Sequence, residues 1–189
     1  MQRVSSAVLA LLFAFPVLAQ QEAAPSRAPD VIYVPTPQEV VDKMLEVADV
    51  KKGDVLYDLG SGDGRIPVTA AKKFGIRAVG IDIDPDRIKE ANANAKKNGV
   101  DSLVKFRNED LFRANFREAT VVTLYLLPDL NVKLRPKLWR ELKPGTRIVS
   151  HQFDMGDWKP EKTLDLNGRT IYFWTVPARK EPAKKPAGS

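Results

Sequence analysis

Apolar residues along this chain recur at two alternating spacings, and the alternation outlines a fold. Val40, Val41, Met44, Leu45 and Ala48 follow helical intervals, which predicts a helix opening at Thr36 and closing before Gly53. Thr36 is expected to cap it, with Pro37 in the first turn and Glu39 completing a capping box. A short apolar strand over 54–59 then runs into a glycine-rich turn, and 66–74 reads as a second helix stopped by Gly75. Strand 77–82, helix 85–97 and strand 103–107 repeat the alternation. Residues 112–119 are too few to predict a helix, and 119–126 is the most apolar strand. Helical spacing returns over 130–142, where Pro136 should force a kink or a second start, and a strand over 147–153 follows. Two last strands, 162–166 and 169–176, are joined by Asn167-Gly168, a strong two-residue hairpin signal. Strand–helix units closed by a hairpin predict an α/β fold: a doubly wound, seven-stranded, mostly parallel sheet whose last strand is antiparallel.

The ends of the chain carry different patterns. Residues 1–19 hold a single charge, Arg3, ahead of a nearly continuous apolar run, with Val17 and Ala19 as small residues before Gln20. This is the pattern of a cleaved secretory signal peptide, and the run is short for a membrane span. Export to the periplasm or medium is the expectation. Pro25, Pro29 and Pro35 mark 20–35 as a linker or arm, leaving 36–176 as the folded domain. Residues 177–189 set Arg179, Lys180, Lys184 and Lys185 against Glu181, and read as a disordered basic tail.

Charge and composition gain meaning only against that division. The whole chain of 189 residues carries a formal net charge of +6. Most of the excess lies in the two ends, so the domain between them is nearly neutral and the case for a nucleic-acid partner weakens. There is no cysteine and one histidine, His151. Disulfides, thiolate nucleophiles and cysteine-ligated zinc are excluded, and no metal site is expected.

The chemistry concentrates at the ends of the predicted strands. Asp58 closes the first strand and leads into Gly60, Ser61, Gly62, Asp63 and Gly64. In a doubly wound sheet this turn lies at the cofactor crevice, and glycines let backbone approach a ligand closely. The G-x-G-x-G spacing differs from the G-x-G-x-x-G of dinucleotide binders. A carboxylate beside a pyrophosphate would repel it, whereas beside an ammonium it attracts; Asp58 therefore points to a ligand with an amino-acid portion. Asp82, ending the second strand, suits two ribose hydroxyls, while Asp84 reads as a helix N-cap with ribose binding as its rival. Asp110, after the third strand, offers an acceptor to an adenine amino group, with Leu111 as an apolar edge.

With these motifs the chain resembles the class I S-adenosylmethionine-dependent methyltransferases over roughly 36–176. The match rests on 58–64, 79–82, 108–111 and the Glu141-Leu142-Lys143-Pro144-Gly145 turn. More narrowly, Tyr33-Val34-Pro35-Thr36-Pro37, 58–66 and 137–142 are similar to small protein-lysine methyltransferases. These include the family acting on the ATP synthase c-subunit and, more distantly, the histone H3 globular-core enzymes. The resemblance implies a Rossmann-like methyltransferase sheet that uses S-adenosyl-L-methionine. The glycine turn and Asp58 would hold its methionine part, Asp82 its ribose and Asp110 its adenine.

Methyl transfer from a sulfonium needs positioning and an unprotonated nucleophile more than it needs metal or thiol. The acceptor should approach over the end of the fourth strand, 123–128, which lacks the Asp/Asn-Pro-Pro-Tyr/Phe signature of base N-methyltransferases. Tyr125 is the first candidate to line that approach, with core packing as its rival. His151 is a candidate base or a structural histidine, and Trp158 and Trp174 read as packing groups. Arg65 is expected to pair with Asp63 or Asp58, and Tyr33 to close over the cofactor from the arm. With no room for a lid or substrate domain, the expectation is a monomeric N-methyltransferase acting on a protein lysine. Its rivals are a small-molecule or RNA methyltransferase and a non-catalytic exported binding protein.

Overall fold

The computed structural model describes residues 33–178; the expected signal segment, the arm up to residue 32 and the tail from residue 179 lie outside the described residues. The described elements run α1 (Gln38–Val47), β1 (Val55–Leu59), α2 (Arg65–Phe74), β2 (Arg77–Asp82), α3 (Pro85–Lys97), β3 (Val104–Asn108), β4 (Val121–Leu124), α4 (Pro128–Glu141), β5 (Arg147–His151), β6 (Lys162–Leu166) and β7 (Arg169–Thr175). The seven strands form one sheet in the order β3-β2-β1-β4-β5-β7-β6. Strands β1 to β5 pair in parallel, and β7 runs antiparallel to both β5 and β6. The strand order reverses between β1 and β4, which opens a crevice at their carboxyl ends.

Alternation along the strands divides the core into two layers. Leu56, Val121, Val149 and Ile171 face α1, α2 and α3. Their neighbours Tyr57, Val122, Ile148 and Trp174 face α4 and the turns around Phe116. Each fully buried Leu or Ile contributes roughly 1.5–3 kcal/mol of burial, so both faces of the sheet are anchored and its loop-bearing edge is fixed in place. Trp174 is buried and donates from Nε1 to the Trp158 carbonyl at 2.8 Å, a packing role for both rings.

Several local expectations are corrected. The capping box at Thr36 does not form: Pro37 is the N-cap of α1, with no side-chain cap. The Thr36 hydroxyl turns to His151 instead, 115 residues away. Pro136 neither splits α4 nor starts a second helix. It lies on the solvent face of the helix, as does Val132 one turn back, so the carbonyl that loses its amide partner is on the side open to water. Strand β4 stops at Leu124, which frees Tyr125 and Leu126 to leave the sheet, and β5 stops at His151 because Gln152 takes a φ of 67°. Residues 112–119 form turns, so β3 connects to β4 without a helix. Among the described residues no helix is long and apolar enough to cross a membrane, and no cluster of His, Asp and Glu could hold a metal ion.

Candidate active site

The site starts from a buried acid. Asp58 lies within β1, 2% exposed, directly opposite Thr123 of β4 in the parallel register. The Thr123 hydroxyl donates to Asp58 Oδ1 at 2.6 Å. Burial pushes the Asp58 carboxyl up to about 8, against the pull of the Thr123 bond, and the nearby Asp82 and Asp63 raise it further. A carboxylate held this dry is stabilised by a cation arriving with a ligand, so the position suits an ammonium group.

The glycine turn then ties β1 to β2. The Gly60 and Ser61 amides both donate to the Ile81 carbonyl, at 2.8 and 3.0 Å, and the Gly62 amide donates to Asp82 Oδ2 at 2.8 Å. Two of its glycines are required by what lies above them. A Cβ on Gly62 would stand 2.3 Å from the Tyr33 ring, and one on Gly64 would stand 2.4 Å from the Phe106 ring. Both residues also have positive φ, 52° and 75°. Ser61 Oγ is buried in the cavity wall with no hydrogen-bond partner, an orphan that a polar ligand would satisfy.

Asp82 ends β2 half out of the sheet. Burial raises its pKa, opposed by the amides of Asp84 and Gly62 that donate to its two oxygens. The carboxylate keeps acceptor capacity for hydroxyl groups. Asp84 is the N-cap of α3, its Oδ1 accepting from the Asp86 amide at 2.9 Å, while it also borders the cavity. Asp110 and Leu111 border the cavity after β3, with Asp110 Oδ1 accepting from the Phe112 amide.

On the far side of the crevice Tyr125 follows β4. Its ring lies 4.0 Å from the His151 ring, tilted by 40°, and 6.3 Å from the stacked Phe153 ring. His151 is 3% exposed and does not line the cavity. Burial, with Arg169 adding, lowers its pKa to about 4, so the imidazole is neutral. It stands behind Tyr125, out of reach of a group in the cavity.

These parts enclose a cavity of ≈350 Å³, within the range of small-ligand sites. Asp58, Gly60, Ser61, Asp82, Asp110, Leu111 and Tyr125 all line it. Gly62, Gly64 and His151 do not: Tyr33 covers the first, Phe106 the second and Tyr125 the third. The arm residues Tyr33 to Thr36 form one wall, with the Arg87 guanidinium 4.9 Å over the Tyr33 ring. Arg65 pairs with Asp63, Nη2 to Oδ2 at 2.6 Å, and donates from Nη1 to the Thr36 carbonyl at 2.9 Å. Sequence reasoning does not single out Arg87, Leu130 or Phe153 as wall residues, and it reaches Thr123 and Leu127 only as members of the 123–128 approach. Thr123 stands out there as the one hydroxyl within the apolar β4.

An acid at the end of each of the first three strands, a glycine turn between two of them and a β3-β2-β1-β4-β5-β7-β6 sheet define a class I S-adenosylmethionine-dependent methyltransferase. Residues 58–162 match the family described as the ANTKMT methyltransferase domain, and the chain belongs to that family. A protein-lysine N-methyltransferase of Saccharolobus islandicus (strain REY15A) is 46% identical over 82% of this chain and 99% of its own. The ATP synthase c-subunit lysine N-methyltransferase of Homo sapiens is 29% identical over 83% of this chain and 66% of its own. Among solved structures, an RNA methyltransferase from Salinibacter ruber in complex with S-adenosyl-L-homocysteine is 61% identical. It superposes with a TM-score of 0.76 over 79% of this chain and 97% of that chain. The protein is a methyltransferase that uses S-adenosylmethionine.

Proposed function

We propose that the protein transfers the methyl group to the side-chain amine of a lysine in a protein acceptor, acting as a monomer. The acceptor end of the cavity carries this reading. Tyr125, Leu127, Leu130 and Phe153 line it, with no cationic side chain among them. An apolar, aromatic wall suits a lysine amine that must shed its water and offers no cation to a phosphodiester backbone. That contrast weighs against RNA, the acceptor class in the name of the Salinibacter ruber relative. The names of the Saccharolobus islandicus and human relatives support lysine.

When bound, the cofactor would supply a methyl group already activated by its sulfonium and would leave as S-adenosyl-L-homocysteine; the lysine nitrogen that takes the methyl would lose its proton to solvent at the cavity mouth. The chain's residues bind and orient. Asp58 takes the cofactor's ammonium, Ser61 Oγ offers a polar contact, and Asp82 and Asp110 accept from ribose and adenine. Tyr125, Phe153 and Leu130 wall the approach to the methyl group and keep water away from it, so the amine arrives desolvated and more readily neutral. Two exposed apolar side chains, Val34 and Leu127, rim the same cavity at 56% and 47% exposure.

The test is transfer of tritiated methyl groups from S-adenosylmethionine to a cell lysate by the purified protein. Label removed by protease and recovered as methyl-lysine after acid hydrolysis is the expected result. Label removed by nuclease would overturn the lysine reading in favour of RNA.

A further inference from the structure

His151 is the one buried imidazole of the chain, and the cavity does not use it directly. Its contacts run in two directions. On one side, Nδ1 shares a hydrogen bond of 3.3 Å with the Thr36 hydroxyl, and both residues are buried. On the other, its ring packs at 4.0 Å against Tyr125, which lines the cavity. Thr36 is held a second time, through its carbonyl, by the Arg65 guanidinium that clamps Asp63 of the glycine turn. The arm thus crosses from the turn after β1 to the end of β5, with Tyr33 seated on Gly62 at the near side.

The position of His151 is itself set by backbone. Gln152 takes a positive φ of 67°, uncommon for a residue with a side chain, and its amide donates to the Thr170 carbonyl at 2.7 Å. This turn ends β5 with the imidazole directed inward toward Thr36 and Phe153 at the cavity.

We propose that His151 is a positioning residue for methyl transfer: with Thr36 it latches the 33–36 arm over the glycine turn and props Tyr125 at the acceptor end of the cavity. Cofactor binding and acceptor positioning are then linked through one side-chain pair. Lifting the arm takes away the hydrogen bond that fixes the His151 ring, and with it one support behind Tyr125.

The test combines affinity for S-adenosyl-L-homocysteine, measured calorimetrically, with thermal unfolding, on T36V, T36S, H151F and the T36V/H151F double variant of the full chain. T36V and H151F should each weaken binding about tenfold, and T36S should restore it. The double variant should bind no more weakly than the weaker single variant, because the two act as one unit. A purely structural role would lower the melting temperature and leave affinity unchanged, which would overturn the proposal, as would additive losses in the double variant. Thr36 lies on the arm, outside the sheet. Because Thr36 itself lines the cavity and His151 does not, the histidine half of the cycle decides, and H151Q replaces H151F in it if H151F does not fold.

Discussion

Thr123 and Asp58 face each other across neighbouring parallel strands, and the threonine hydroxyl is the acid's side-chain hydrogen-bond donor, at 2.6 Å. The pair is buried, so its energetics are those of a dry site, in which losing one partner leaves the other unsatisfied. Replacing Thr123 with valine keeps the shape and removes the donor. Asp58 is then pushed still further above about 8, and less of it is ionised to meet the cofactor's ammonium. Affinity for S-adenosyl-L-homocysteine at neutral pH is expected to fall about tenfold in T123V and to stay near the parent value in T123S. Calorimetry reads both, and equal affinities in T123V and the parent would separate Thr123 from cofactor binding.

The two crowded glycines should fail in different ways. In G62A the new methyl group meets Tyr33, a ring on the arm that can lift. Binding of S-adenosyl-L-homocysteine should weaken several-fold while stability drops by only ~1 kcal/mol, the order of the backbone strain itself. In G64A the new methyl group meets the half-buried Phe106 ring, packed against the core from β3, and the buried Ala91 of α3. There the cost is overpacking, about 1–3 kcal/mol, visible as a lower melting temperature even without ligand. If both variants lost stability equally, the arm would be as rigid as the core.

How far the sequence reaches follows from the range of each interaction. Strand 77–82, helix 85–97 and the hairpin at Asn167-Gly168 are readable because period, cap and turn chemistry are all local, and Asp84 caps α3 as its position before Pro85 implies. The acids at the ends of β1, β2 and β3 are readable for the same reason, since the crevice of a doubly wound sheet lies at strand ends. What escapes is non-local. Thr36 carries every local sign of a cap, yet its hydroxyl goes to His151, a partner that only the folded sheet supplies. Thr123 matters through its register with Asp58, and Arg87 and Phe153 through the cavity wall they share, none of which spacing along the chain reveals.

Leu127 lies at the N-terminus of α4, half exposed at the cavity mouth, while the cofactor acids lie deeper. An exposed apolar side chain at a mouth is best used by an apolar neighbour of the incoming lysine. L127S should therefore reduce methyl incorporation into lysate protein several-fold and leave affinity for S-adenosyl-L-homocysteine unchanged. A matching loss of cofactor affinity would place Leu127 in the cofactor site instead of the acceptor path.

The buried acid and the buried imidazole give the ligand-free protein opposite pH dependences. Asp58 is raised from 3.8 to about 8, so the folded state holds a proton that the unfolded state releases; its contribution to stability is full below about pH 4 and is lost as pH rises to about 8. His151 is lowered from 6.5 to about 4, so the unfolded state binds the extra proton, and its contribution is full above about pH 6.5 and lost as pH falls toward 4. The parent's melting temperature should decline between pH 6 and pH 8, and the D58N variant, in which that position does not titrate, should lose that decline. Ligand binding supplies the complementary observation. A bound ammonium favours ionised Asp58, so binding S-adenosyl-L-homocysteine at pH 7 should release about one proton into the buffer, and D58N should release none from this position. Calorimetry in two buffers of different ionisation enthalpy measures that release, and an equal release from D58N would remove Asp58 from the ammonium site.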